Sequence, residues 1–141
     1  MKALDTCYLI WLFENHKESI LLKSDYVITS FNYQELLHVE HRHKISSHVR
    51  NHIRSFEKKH GFNIVEIPVS PGNNLEEVSY VHEIDPGLLN HVKDPSDAVL
   101  VAFCIKNKFD LVTRDRHDIY KAVNENYFSK NNLQLLKSLR D

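Results

Sequence analysis

Four carboxylates stand where alternating strands and helices would gather them. Asp5 follows Lys2-Ala3-Leu4, and Asp115 lies just past the stretch Phe109 to Thr113, with Leu111-Val112 apolar. Asp97 opens a second apolar run, and Glu35 lies near the start of the segment Asn32 to His43. Carboxylates brought to one edge repel, and at least one pKa rises sharply unless something offsets the charge. Mg²⁺ or Mn²⁺ does so, because hard cations prefer oxygen ligands, at about 2.0–2.1 Å for Mg²⁺. The chemistry that uses such a cluster is phosphodiester hydrolysis. The metal activates a water and neutralises charge on the phosphate, and two-metal versions hold the ions about 3.5–4 Å apart.

Each acid also has a plainer reading, Glu35 as a solvated helix residue. Asp5 precedes the apolar segment Thr6 to Asn15 and suits a helix N-cap. Asp97 suits the positive end of a helix dipole, an effect worth typically 0.3–1 kcal/mol. Asp94 already supplies the cap there, with Pro95 at the first helical position, which leaves Asp97 for the site. Asp115 could cap a following helix, with Asp118 completing the cap.

The elements that must position these acids can be read in order. Lys2 to Asp5 is a short strand and Thr6 to Asn15 a helix. Tyr26 to Thr29 is a second strand, β-branched and aromatic. Ser30 is the expected N-cap of a helix over Asn32 to His43. Ile45, Val49, Ile53 and Phe56 recur at helical spacing, and Gly61 ends that stripe. Phe62 to Val69 is a strand closed by Pro68 and Pro71. A helix over Asn74 to Ile84 leads to the turn Asp85-Pro86-Gly87. The run Ala98 to Ile105 is apolar on every face, so its helix is buried all round. Phe109 to Thr113 is a strand, a helix follows from Asp115, and Leu133 to Leu136 is a last strand. This alternation implies an α/β fold with a parallel sheet covered on both faces, where ligands bind at the carboxyl ends of the strands.

Length and composition bound the rest. The 141 residues, 42% hydrophobic and 26% charged, fit one domain over residues 1–141. The three glycines, Gly61, Gly72 and Gly87, stand apart, which excludes phosphate-cradling and dinucleotide-binding glycine loops. A formal net charge of −1 argues against one large basic face. Cys7 and Cys104 form no C-x-x-C pair and read as buried free thiols of a reduced, cytoplasmic protein. No apolar run approaches the roughly 20 residues that span a bilayer, and the start of the chain makes a poor signal peptide.

Together, Leu4-Asp5-Thr6, the stretch from Ser30 to Glu35-Leu36-Leu37, Asp97-Ala98-Val99-Leu100-Val101-Ala102 and Leu111-Val112-Thr113-Arg114-Asp115-Arg116-His117-Asp118 resemble the signature of PIN domains. The match is nearest to small single-domain proteins of the VapC type and covers essentially the whole chain. The resemblance implies a three-layer α/β/α sandwich with a central, mostly parallel sheet of about four or five strands. It implies a metal-dependent endoribonuclease with Asp5, Glu35, Asp97 and Asp115 as catalytic acids. Asp5, Asp97, Asp115 and Asp118 would hold Mg²⁺ or Mn²⁺, with Thr6 and Thr113 supporting the site. It further implies a homodimer, an RNA substrate and a VapB-type antitoxin partner. The alternatives are an RNA-processing nuclease that is no toxin, and a silent RNA-binding or regulatory module. A phosphatase using Asp5 as nucleophile expects an acid two residues on, where this chain has Cys7.

The histidine-rich segment from His38 to His60 is no part of that pattern. His38, His41, His43, His48 and His52 include helical spacings, but without cysteines or an H-E-x-x-H motif they read as a solvated face rather than a zinc site. Arg50, Arg54 and Lys58 recur every four residues opposite the apolar stripe, either as a ridge for RNA phosphates or as an ordinary solvated face. Arg114 and Arg116 flank Asp115 and are the better placed to touch a phosphate.

Overall fold

The computed structural model describes residues 1–42, 45–114, 125–131 and 133–140. The strands are β1 (Lys2–Leu4), β2 (Tyr26–Thr29), β3 (Ile64–Val65), β4 (Asp110–Val112) and β5 (Leu135–Leu136). The helices are α1 (Thr6–Glu14), α2 (Ser30–Arg42), α3 (Ser47–His60), α4 (Asn74–Ile84), α5 (Pro95–Asn107) and α6 (Glu125–Lys130). The strands form one sheet in the order β3-β2-β1-β4-β5, and every pairing is parallel. The order reverses on either side of β1, which makes the carboxyl ends of β1 and β4 the switch point where such sheets bind ligands.

Successive side chains along a strand point to opposite faces, and this builds two cores. Ala3, Val27 and Leu111 face one side and pack with Val81, Val99, Val101 and Phe103 of α4 and α5. Leu4, Ile28 and Val112 face the other and pack with Leu9 and Phe13 of α1 and Ile53 and Phe56 of α3. The result is the expected three-layer α/β/α arrangement. In α5 every residue from Ala98 to Cys104 is buried, as its unbroken apolar run predicts. Among the described residues, no helix is long and apolar enough to cross a membrane.

Several boundaries differ from the sequence reading. Ser30 does not cap α2 but lies inside it, because the Thr29 hydroxyl takes the Asn32 N–H at 3.1 Å. The Ser30 hydroxyl is used instead to accept the Ile67 N–H at 2.9 Å. That bond shortens the predicted strand Phe62–Val69 to Ile64–Val65, since Ile67 pairs with a side chain and Pro68 has no N–H to offer. The last strand is likewise only Leu135–Leu136. The helix predicted from Asp115 begins outside the described residues, as does His43.

Two capping expectations hold. The Asp94 carboxylate accepts the Ser96 N–H at 3.0 Å. Gly61 ends α3 at φ 73, ψ 168. That backbone region is essentially restricted to glycine. A Cβ at Gly61 would meet nothing within 4 Å, so conformation alone penalises a side chain there. Gly61→Ala is therefore expected to cost about 1–3 kcal/mol, read as a lower midpoint in urea unfolding with an unchanged slope.

Candidate active site

The site is built where three chain segments leave the sheet. Asp5 follows β1, its N–H bonded to the Val112 carbonyl of β4 at 2.9 Å. It does cap α1, since its Oδ1 accepts the Thr6 N–H at 2.7 Å. It does more as well, because Oδ2 accepts the Thr113 hydroxyl at 2.7 Å from just beyond β4. Thr113 is fully buried, so this bond holds the carboxylate against the ends of both central strands. The plainer reading of Asp5 and the functional one are therefore both served by one geometry.

Glu35 is reached from the same point through Thr6. The Thr6 hydroxyl lies 3.2 Å from Glu35 Oε1 and 3.3 Å from the Asn32 carbonyl. With one proton it donates to only one of them, and it accepts from Asn32 Nδ2 at 3.1 Å. Asn32 Nδ2 also donates to Glu35 Oε1 at 3.2 Å, and Asn32 Oδ1 accepts the Thr29 hydroxyl at 2.7 Å. Glu35 is thus oriented by a buried amide three residues earlier on the same face of α2. Sequence reasoning missed Asn32. Its i, i+3 spacing from Glu35 was the available signal, but nothing in the sequence says that Thr6 and Thr29 lie beside it.

Asp97 arrives by topology. α5 leads into β4, which runs parallel to β1, so α5 runs against the strands and opens at their carboxyl edge. Asp97, half-buried in its first turn, stands at the same edge as Asp5, Glu35 and Thr113. Its neighbour Ser96 donates to Glu77 at 2.8 Å, and Glu77 is only 3% exposed. This second missed residue ties the start of α4 to the start of α5.

Cys7 is the third missed residue and a correction. It is not a core thiol but half-buried, with Sγ donating to Asp5 Oδ2 at 3.4 Å and lying 3.5 Å from the Thr113 hydroxyl. Burial, and then the Asp5 charge, push its pKa up to about 12. Cys104 is buried as expected, and burial raises its pKa as well. Both thiols stay protonated. In the folded protein at pH 8, alkylation of Cys7 by iodoacetamide is expected to run at least about a hundredfold slower than in urea, as the scarce thiolate requires. Peptide mass spectrometry would read this, and rapid labelling of the native protein would overturn the assignment.

The remaining candidates fall as follows. The Arg114 guanidinium stacks over the Trp11 ring, 4.2 Å from its centroid, and Lys17 Nζ approaches the same ring at 5.0 Å. Arg50 and Arg54 lie on α3 beside Leu36, Leu37, Ile45 and Glu57. Asp115, Arg116 and Asp118 lie outside the described residues. The donors gathered at the edge are carboxylates and hydroxyls, with the neighbouring thiol held neutral. An all-oxygen set of this kind fits Mg²⁺ or Mn²⁺ better than a softer ion.

Comparison with known proteins agrees with this architecture. The family model described as the PIN domain matches residues 2–125. No curated protein matches the chain. A toxin-antitoxin complex from Klebsiella pneumoniae contains a chain of similar fold, with TM-score 0.56 and 20% identity. The match covers 86% of this chain and 92% of that one. VapBC2 from Rickettsia felis, solved bound to a DNA fragment from their promoter, is similar at TM-score 0.60 and 17% identity. There the match covers 95% of this chain and 96% of that one.

Proposed function

The chain belongs to the PIN domain family, whose members are generally nucleases, and we propose that it is a divalent-metal-dependent endoribonuclease acting as the toxin of a toxin–antitoxin pair. The observation that carries this reading is the hydrogen-bonded chain Thr113–Asp5–Thr6–Glu35, set at the switch point of the sheet with Asp97 at the same edge.

In this reading Asp5 and Asp97, with Asp115 and Asp118, hold Mg²⁺ or Mn²⁺, and Glu35 completes the acidic cluster. When bound, the cation lowers the pKa of a water and offsets charge on the phosphate. The chain's own residues supply order. Thr113 and the Thr6 N–H each fix one oxygen of Asp5, so its carboxylate is aimed before any ligand arrives. Asn32 and Thr6 fix Glu35 in the same way. Such preorganisation avoids reorganisation cost during the reaction. Arg114, one residue past Thr113 and stacked on Trp11, is the nearest described candidate for an RNA phosphate, and Arg50 and Arg54 are the outlying ones. Arg116 is a candidate from its place in the sequence beside Asp115.

The toxin assignment draws on the two structural neighbours, a toxin–antitoxin complex and VapBC2, and carries an antitoxin partner with it. The homodimer in this reading comes from the family resemblance alone. Free thiols at Cys7 and Cys104 suit a reducing cytoplasm. The test is cleavage of total cellular RNA by wild type and Asp97→Asn, each with Mg²⁺, Mn²⁺ or EDTA. Discrete fragments that require metal and vanish in Asp97→Asn are expected. Unchanged cutting by the variant would defeat the proposal. A folded wild type that binds Mg²⁺ yet leaves RNA intact would favour the silent regulatory module.

A further inference from the structure

The histidines that sequence reading set aside as a solvated face acquire a new member in three dimensions. α1 ends in a paired-bond cap, with Lys17 N–H to the Leu12 carbonyl at 2.8 Å and His16 N–H to the Phe13 carbonyl at 3.4 Å. His16 therefore occupies the left-handed position of that cap, at φ 54, where glycine is the usual residue. The turn carries its imidazole to α3. There Ser46 caps the helix and Val49, Ile53 and Phe56 face the core, with Phe13 and Phe56 in edge-to-face contact at 5.6 Å. His48 and His52 each precede a core position, so they share one flank of α3 at the four-residue spacing that lets two imidazoles take one ligand.

The three rings meet. His48 and His52 centroids are 4.4 Å apart, and His16 lies 5.6 Å from His52 and 5.9 Å from His48. One ring nitrogen from each falls within 4.8 Å of the others. Four-coordinate Zn²⁺ with nitrogen ligands at 2.0–2.1 Å needs them about 3.3 Å apart. Closing that gap requires side-chain rotation, and His16 and His48 are both exposed. Glu18 Oε1 lies 3.7 Å from His52 Nδ1. Glu18 Oε2 is buried and has no hydrogen-bond partner among the described residues. A carboxylate beside a ligating imidazole is the usual outer partner of a zinc-bound histidine.

We propose that His16, His48 and His52, backed by Glu18, form a binding site for a borderline transition-metal ion, Zn²⁺ foremost, that clamps the end of α1 to α3. Imidazole nitrogens select such ions, whereas the oxygen donors at the carboxyl edge select Mg²⁺ or Mn²⁺. The two sites lie at opposite ends of α1, whose nine residues span about 13 Å. The proposal is independent of the nuclease assignment.

The test uses the full chain without a histidine tag, in excess Mg²⁺ to occupy the acidic edge. Zn²⁺ is titrated calorimetrically and Co²⁺ by visible absorption, alongside His52→Ala, His16→Asn and Asp97→Asn, each checked for folding by circular dichroism. Asn tolerates the left-handed backbone at position 16, so that variant removes the ligand and spares the turn. The expected result is one equivalent of Zn²⁺ bound at micromolar concentration or tighter. The intense visible bands of low-coordinate Co²⁺ should appear, and the melting temperature should rise by about 5 °C or more at a hundredfold excess over Kd. Each histidine variant should weaken binding at least about tenfold, and Asp97→Asn should keep it. Absence of micromolar binding, binding unchanged in both histidine variants, or binding lost in Asp97→Asn would each overturn the proposal.

Discussion

Exchanging Asp5 for Asn is expected to lower RNA cleavage by at least about a thousandfold at saturating Mg²⁺ while the protein stays folded. In the proposed function Asp5 helps to hold a cation that would supply several kcal/mol of charge stabilisation at the phosphodiester, and each 1.36 kcal/mol is about tenfold in rate. Asp5→Asn removes the charge and spares the scaffold. Asn caps a helix about as well as Asp, so the bond from the Thr6 N–H survives. The Thr113 hydroxyl, now 2.7 Å from Oδ2, can rotate to accept from an amide instead of donating to a carboxylate. Stability should therefore change by less than about 1 kcal/mol. Single-turnover cleavage and thermal melts on the same preparations separate the two effects. Cleavage within tenfold of wild type would reduce Asp5 to a helix cap.

The second large effect is expected at Asn32, which no motif marks. It is 2% exposed, and its side chain bonds Thr29, Thr6 and Glu35 at once. Truncation leaves the Thr29 and Thr6 hydroxyls short of partners in a buried place, where an unmade bond costs about 1–3 kcal/mol. Asn32→Ala should lose about 2–3 kcal/mol in total, seen as a melting temperature lower by about 5–10 °C. Glu35 loses its orienting amide as well, so cleavage should fall about 10–100-fold, the usual cost of removing an outer-shell partner. Assays well below the lowered melting point, with folding verified by circular dichroism, keep the two losses apart. A variant that is destabilised yet cleaves like wild type would confine Asn32 to a structural role.

The cysteines show how far local sequence carries. Cys104 lies in an unbroken apolar run and is buried, as that run implies. Cys7 lies in a run that looks the same, yet it turns toward Asp5 and Thr113, a residue 106 positions away. The same limit governs caps. Asp94 and Gly61 act as predicted because a cap answers to its own next few residues. Ser30 does not, because the Thr29 hydroxyl takes the Asn32 N–H and the Ile67 N–H, from 37 residues away, claims the Ser30 hydroxyl.

What the sequence determined by itself is the alternation of strands and helices, the parallel sheet covered on both faces, and the edge at which Asp5, Glu35 and Asp97 stand. These follow from hydrophobic period, capping and turn residues, all of which act over short stretches of chain. Tertiary structure alone decided which side chains meet at that edge. It put Thr113 on Asp5 through the β1–β4 pairing, and Asn32 between Thr6, Thr29 and Glu35. It also drew His16 out of a cap onto His48 and His52. Contacts of this kind depend on strand order and helix packing, which bring together residues that share no local pattern and leave no mark of their meeting in the order of the chain.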